Sequence, residues 1–540
     1  MIPHLPPLGK YGGRPRRLAP VPGARYNTDD SHLFSGVCPF LRAFAVQRNF
    51  PRRHHGAERM FPAMSNTSSP AALVRRWLPD VLLAVAAVAF VVFGAQFTTN
   101  GNFWLDEFFS IEMVKMDWTA IPAATAADVH PPLYYFILKL FVTVFGNAHI
   151  VYRIASFVPY VLTVGMALVL FRPAFGRFAA LVFLCLMAPN VSSLRFFTEA
   201  RMYGWALFFV TLCGFAAYKV VNAQKPCRGW WITLTVAGLC SAYLHYFALL
   251  AVCFVYLFLL LYTLRFDRSL LRGWLIAAAV SVVCYLPWVF MAVSNILYQA
   301  TGGFWLQEYP ALSETLELIV GSRLSSWAVL ALLTAAVVVF WFWPRDSRKG
   351  ARWLAVTGLL AAMGVPALGY LASVTLQPMY LSRYFFPVCG LLWLAMAVAA
   401  AGLTRRLPVV RVLLVALILY AMYEPAMNYR NDILEVNDIV DQTVNFVEDR
   451  AQPGDRIYSV TEHVDDRVLE FFYPDRETKA GGDPTEFLPD EGGSLFLVYP
   501  EEDISPELTA RFESAGLTAA EWQGALLDNQ WCRIYYLTPQ

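Results

Sequence analysis

Residues 79–97 read PDVLLAVAAVAFVVFGAQF, and after Asp80 seventeen residues pass without a charge. A helix needs about twenty mainly apolar residues to cross the hydrocarbon core of a bilayer. Arg75 and Arg76 stand just before the stretch. Positive flanks stay cytoplasmic, so the N-terminal side is expected inside and Thr98 outside. Similar apolar stretches recur near 150–171, 177–193, 203–218, 274–292, 325–343, 353–374, 384–402 and 409–423. One such stretch fits a core helix, but their repetition requires a membrane.

Composition agrees. Of 540 residues 57% are hydrophobic and 15% charged, whereas soluble domains carry about a quarter charged residues. Mean hydropathy is +0.47. The net charge of +2 hides an asymmetry: from Asn431 onward there are 24 Asp/Glu against 7 Lys/Arg, and the rest of the chain holds 16 acids and 35 bases. A basic membrane part and an acidic tail are expected in different compartments. The bases are scattered among short loops, which argues against nucleic acid. None of the nine cysteines forms a Cys-x-x-Cys pair, so neither a disulfide framework nor a zinc knuckle is expected.

Residues 1–75 are rich in Pro, Gly and Arg without apolar periodicity, which predicts a disordered extension. Met60 and Met64 are alternative starts. A membrane domain is expected over 76–425, with a long first outer loop over 98–130. Two basic clusters, Lys219/Lys225/Arg228 and Arg265/Arg268/Arg272, bracket a hairpin of two spans with His245 and Tyr246 at its outer turn. Between Thr98 and Lys219 four apolar segments occupy a stretch that needs an odd number of crossings. The segment 131–145 is the short one, reaching only about 22 Å. Leaving it out gives about eleven crossings. The tail, 426–540, reads as a small α/β domain on the outer side, with a helix over 433–447 and strands over 456–460, 494–499 and 531–537. The expected fold class is therefore an all-α polytopic membrane protein with a small C-terminal α/β extracytoplasmic domain.

Polar residues gather in the outer-face loops: Phe103-Trp104-Leu105-Asp106-Glu107, then Asp128-Val129-His130-Pro131-Pro132, Glu199-Ala200-Arg201, His245 and Arg383-Tyr384. Each has an ordinary explanation. Wet loops tolerate acids, Pro suits a first helical turn, and arginines snorkel. Several on one face, however, describe a shared polar cavity, because charge at bilayer depth needs a partner or water. A carboxylate can take a proton from an attacking hydroxyl. Arginine, or a metal held by carboxylate and imidazole, can stabilise charge on a departing phosphate.

In this order along the chain the motifs resemble the GT-C superfamily of membrane glycosyltransferases, among them the bacterial relatives of protein O-mannosyltransferases and aminoarabinose transferases. The resemblance rests on Leu105-Asp106-Glu107, Asp128-x-His130-Pro131-Pro132-Leu133-Tyr134-Tyr135, Phe145-Gly146 with Arg153, Glu199-Ala200-Arg201-x-Tyr203, and Arg383-Tyr384 ahead of Pro387. It covers residues 77–425. It implies Asp106 as catalytic base with Glu107 in support, Asp128 and His130 as the pair that contacts a divalent metal, and Arg201, Arg383 and His245 against the donor phosphate. This sequence has His130 where some relatives carry an acid or Lys, so the metal depends on that substitution. No nucleotide cofactor is expected, since no Gly-rich phosphate loop precedes a helix. The function so implied is transfer of a sugar from a polyprenyl-phosphate donor to an acceptor hydroxyl on a glycan, lipid or protein, with inversion. The alternative is a polytopic transporter or lipid flippase, for which paired inverted repeats would be the sign.

Overall fold

The computed structural model describes residues 70–540 except 129, 224–226, 299–311, 322, 344–348, 462 and 491. Residues 1–69 of the expected disordered extension lie outside these. Its last residues do not: helix α1, Pro70–Ala95, begins at Pro70, a residue suited to a first turn.

The expected outer loop carries two short helices, α2 (Leu105–Lys115) and α3 (Ile121–Ala126). Helix α2 turns Phe108, Ile111, Met113 and Val114 inward. Its first turn holds Asp106 and Glu107, where negative charge suits the helix dipole. Next come α4 (Leu133–Phe145), α5 (His149–Met166), α6 (Arg177–Met187), α7 (Val191–Phe196) and α8 (Tyr203–Val221). The Lys139 ammonium on α4 donates to the Val114 and Met116 carbonyls at 2.8 and 2.5 Å, which ties α4 to the end of α2.

The predicted hairpin is α9 (Arg228–Leu244) and α10 (Tyr246–Phe266), with His245 alone between them. Then follow α11 (Leu271–Tyr298), α12 (Leu312–Val320), α13 (Leu324–Phe342), α14 (Lys349–Thr375) and α15 (Phe386–Leu403). Among the described residues nine helices are long and apolar enough to cross a membrane, and α4 and α6 are shorter apolar helices. The other two of the eleven crossings expected from the sequence fall on α6 and α9, which are 11 and 17 residues long and are not among these nine. Valines and leucines on the flanks of these helices, such as Val81, Val85 and Val88 on α1, are exposed, as a lipid-facing surface requires.

Helix α15 is the centre of the bundle, buried from Phe386 to Ala401. Glycines let its neighbours close on it. A Cβ at Gly358 of α14 would stand 2.4 Å from the Leu391 carbonyl oxygen, so only glycine permits that approach.

Helix α16, Pro408–Glu448, is 41 residues long, about 60 Å at the helical rise. The amphipathic helix expected at 433–447 is its far end, and the helix passes residue 426 without interruption. Beyond it lies a five-stranded sheet in the order β2-β1-β3-β5-β4, formed by β1 (Arg456–Ser459), β2 (Glu477–Ala480), β3 (Leu495–Pro500), β4 (Leu517–Leu527) and β5 (Gln530–Pro539). Strand β1 runs parallel to β2 and β3, and β5 is antiparallel to β3 and β4. Helices α17 (Asp466–Phe472) and α18 (Pro506–Ser514) connect them. Strands β1, β3 and β5 match the three expected. Strands β2 and β4 escaped the sequence because β2 is four residues long and β4 is exposed over residues 518–522, leaving no alternation.

Candidate active site

Helix α2 opens directly after the first span and brings Asp106 to the centre of a cluster of cations. The Arg383 guanidinium, at the start of the α15 segment, lies 3.0 Å from Asp106 Oδ2. That of Arg201, just ahead of α8, lies 3.8 Å from the same oxygen. Arg201 also donates through Nη1 to the Asp106 carbonyl at 2.9 Å and to the Ser110 hydroxyl at 3.3 Å. The Arg383 guanidinium sits 4.9 Å from the centroid of the Trp104 ring, a cation–π contact. Burial raises the Asp106 carboxyl, but Arg201 and Arg383 outweigh it and hold the group below the usual carboxylate range. It is therefore ionised at neutral pH.

His130 enters from the other end of the loop. Its Nδ1 stands 3.4 Å from Asp128 Oδ2 and 3.4 Å from Arg201 Nη2. Arginine only donates and carboxylate only accepts, so Nδ1 serves one of them at a time. Its ring is 5.5 Å from that of His245. His245 caps α10: its Nδ1 accepts from the Phe247 N–H at 3.1 Å, which leaves the ring proton on Nε2. Burial, His130, Arg201 and Arg383 together hold His245 well below its usual range. Burial likewise lowers His130 against the pull of Asp128. Both rings are neutral. Asp106, Asp128 and Arg383 keep 23%, 26% and 17% side-chain exposure, whereas Arg201 and His130 are buried. A ligand therefore meets the two carboxylates and Arg383 first.

Glu107 lies in a second cluster, turned away from Asp106. It pairs with Arg153 of α5, and its Oε1 accepts from the Ala200 N–H at 2.5 Å. Arg153 also donates to the carbonyls of Asn100, Asn102 and Thr198. Burial and the neighbouring Glu199 push the Glu107 carboxyl up, opposed by Arg153 and the Ala200 and Trp104 N–H groups. Both partners are buried. The pair ties the loop carrying Asp106 to α5 and to residues 198–200.

Among the described residues no three of His, Cys, Asp and Glu converge on one point. Asp128 and His130 fit a divalent ion poorly, because they supply only two donors and the Arg201 guanidinium stands 3.4 Å from the His130 Nδ1.

The crystal structure of ArnT from Cupriavidus metallidurans in the apo state resembles this chain over 86% of its residues and 98% of ArnT, with a TM-score of 0.53 and 16% identity. The chain has the GT-C fold. The same enzyme bound to undecaprenyl phosphate matches at TM-score 0.52 and 14% identity, over 85% of this chain and 98% of that one. No family model matches the sequence, and neither does any curated protein.

On this GT-C fold Asp106, Asp128, His130, Arg201, His245 and Arg383 come from five separate segments and meet at helix ends, none of them in mid-span. Sequence reasoning passed over Trp104 as a partner of Arg383. It also read Arg153 only as part of a motif and not as the partner of Glu107. Asp528 at the β4–β5 turn was missed altogether. It is buried beside the start of α2, and burial raises its carboxyl to about 7. No local signal marks a contact between residues so distant in the chain.

Proposed function

We propose that the protein is a membrane glycosyltransferase that takes a sugar from a polyprenyl-phosphate carrier and transfers it to an acceptor hydroxyl on the outer face. The observation that carries this reading is Asp106, an ionised and partly exposed carboxylate held between Arg201 and Arg383. Of the two guanidinium groups, Arg383 keeps exposure through which an anion can reach it and displace the Asp106 carboxylate. The resemblance to a structure of ArnT bound to undecaprenyl phosphate supports a lipid-phosphate donor. The placement of all six residues at helix ends favours a site on one face over a transporter's midplane site.

In this mechanism the donor phosphate approaches the exposed Arg383 and draws it, with Arg201, away from Asp106. His245 donates through its Nε2–H as a neutral group. The released Asp106 carboxylate accepts the proton of the acceptor hydroxyl. The acceptor oxygen forms a bond to the anomeric carbon as the carbon–oxygen bond to phosphate breaks on the opposite side, which inverts that carbon. The electron pair leaves with the phosphate, where the guanidinium groups stabilise it. Glu107 acts as a positioning residue through Arg153. No step passes through a metal. With the charge bias of the loops, the N-terminal side is cytoplasmic and the sheet domain extracytoplasmic.

The test is transfer by purified protein in proteoliposomes, supplied with a panel of undecaprenyl-phosphate sugars and read as release of undecaprenyl phosphate. Asp106→Asn is expected to lower turnover by about 10²–10⁴, the contribution of a positioned base, while the protein stays folded in the membrane. Near-normal turnover in that variant would remove Asp106 as the base. Absence of release from every donor in the wild type would remove the reading itself.

A further inference from the structure

The segment that leads into α2 is held from three directions by the C-terminal domain. The Gly101 N–H donates to Asn437 Oδ1 of α16 at 2.8 Å. Phe471 of α17 packs on Phe103 and Phe108, with ring centroids 4.8 and 5.2 Å apart, and stacks on His149 at 3.9 Å. At the tip of the β4–β5 hairpin, Asn529 Oδ1 accepts from the Asn102 amide at 2.5 Å. Beside it the buried Asp528 carboxyl lies close to the Leu105 N–H, at the open end of α2.

The last of these places a buried carboxyl from elsewhere in the chain beside an uncapped helix start. Helix α2 starts after Trp104, whose side chain makes no capping bond and has no acceptor to offer. Ser, Thr, Asp or Asn normally fills that place. Here the carboxyl of Asp528, 5% exposed, stands beside that place. The turn is not built for its own stability either. Asp528 and Asn529 both sit in the left-handed region, with φ of 51° and 58°. Such a two-residue turn prefers glycine at its second position, and at residue 529 the chain keeps a side chain that is used on Asn102.

We propose that Asp528 and Asn529 are positioning residues of the active centre, holding the Trp104–Leu105 turn so that Asp106 faces Arg201 and Arg383. The C-terminal sheet domain is thus a working part of the catalytic site. This rests on Asp106 being the reacting carboxylate.

The test uses the full-length protein in nanodiscs and the variants Asn529→Gly, Asp528→Ala and Asp528→Asn. Asn529→Gly suits the turn and so preserves the hairpin while it removes the contact to Asn102. Hydrogen exchange at residues 102–108 is expected to quicken about fivefold or more in Asn529→Gly and in Asp528→Ala, the loss of about one hydrogen bond's protection. Exchange in β4 and β5 is expected to stay unchanged. Asp528→Asn keeps an acceptor oxygen and is expected to restore the wild-type pattern. With whichever donor turns over, kcat is expected to fall in the first two variants while the donor KM holds. Unchanged exchange at 102–108 in both Asn529→Gly and Asp528→Ala would overturn the proposal. Exchange that quickens while no donor turns over in the wild type would leave the positioning contact standing and strike the transferase reading alone.

Discussion

Arg383 and Arg201 touch the same carboxylate oxygen, but only Arg383 keeps exposure on the accessible side. Their roles should separate accordingly. Arg383→Ala is expected to weaken undecaprenyl phosphate binding by about 10–100-fold, the worth of a charge-assisted hydrogen bond. Arg383→Lys is expected to recover part of it, since lysine keeps the charge but loses the planar fork. Native mass spectrometry with undecaprenyl phosphate measures both, and equal affinity in wild type and Arg383→Ala would show that the arginine serves only Asp106. At this scale the sequence was informative wherever a residue type alone implies chemistry. Asp106, Asp128, His130, Arg201, His245 and Arg383 were each legible as ionisable residues at the mouth of a span. What a given side chain pairs with was not legible. Glu107 and Asp106 are adjacent, yet the rotation of about 100° between neighbours on α2 sends them to different clusters, and nothing in the two letters says which faces Arg153.

Helix α2 is fixed to α5 by the Glu107–Arg153 pair, and this coupling between elements has a cost when broken. Glu107→Ala leaves Arg153 buried without its carboxylate, which is expected to destabilise the protein by about 3–5 kcal/mol. Replacing both partners with Gln and Met is expected to cost less than the single change, because no charge is then stranded. Thermal unfolding in detergent reads both, and a single variant as stable as the wild type would show that water reaches Arg153. The long apolar helices were plain in the sequence because twenty residues without charge allow few other readings. The break that ends α6 and starts α7, between Met187 and Val191, was read through as one segment although Pro189-Asn190 marks it, and Asn190 caps α7. Strand β4 was hidden for the opposite reason: its outward face is exposed, so the two-residue period never appears.

For the molecule as a whole, Asp528 makes the union of the two domains sensitive to pH. Burial raises its carboxyl to about 7 from an ordinary value of 3.8, against the Leu105 N–H and Arg467 and with the charges of Asp465 and Asp106. A carboxyl raised in the folded state favours the protonated form. Its contribution is full below about pH 4 and is lost as pH rises through about 7. The wild type is therefore expected to lose thermal stability between about pH 4 and 7 and to level off above that, and Asp528→Asn, which is always neutral, to lose less. Melting temperatures across that range decide it, and parallel curves would rule out Asp528 as the source.

Helix α16 runs from within the membrane domain to the sheet domain as one rod of 41 residues, and its Asn437 grips Gly101 just ahead of Asp106. A helix that spans a bilayer tilts to match the hydrocarbon thickness around it. Here such a tilt has no slack linker to absorb it and swings the hairpin tip together with the loop beneath. Acyl-chain length in the surrounding lipid is thereby expected to reach the Asp106 loop, so that turnover changes between proteoliposomes of thinner and thicker bilayers.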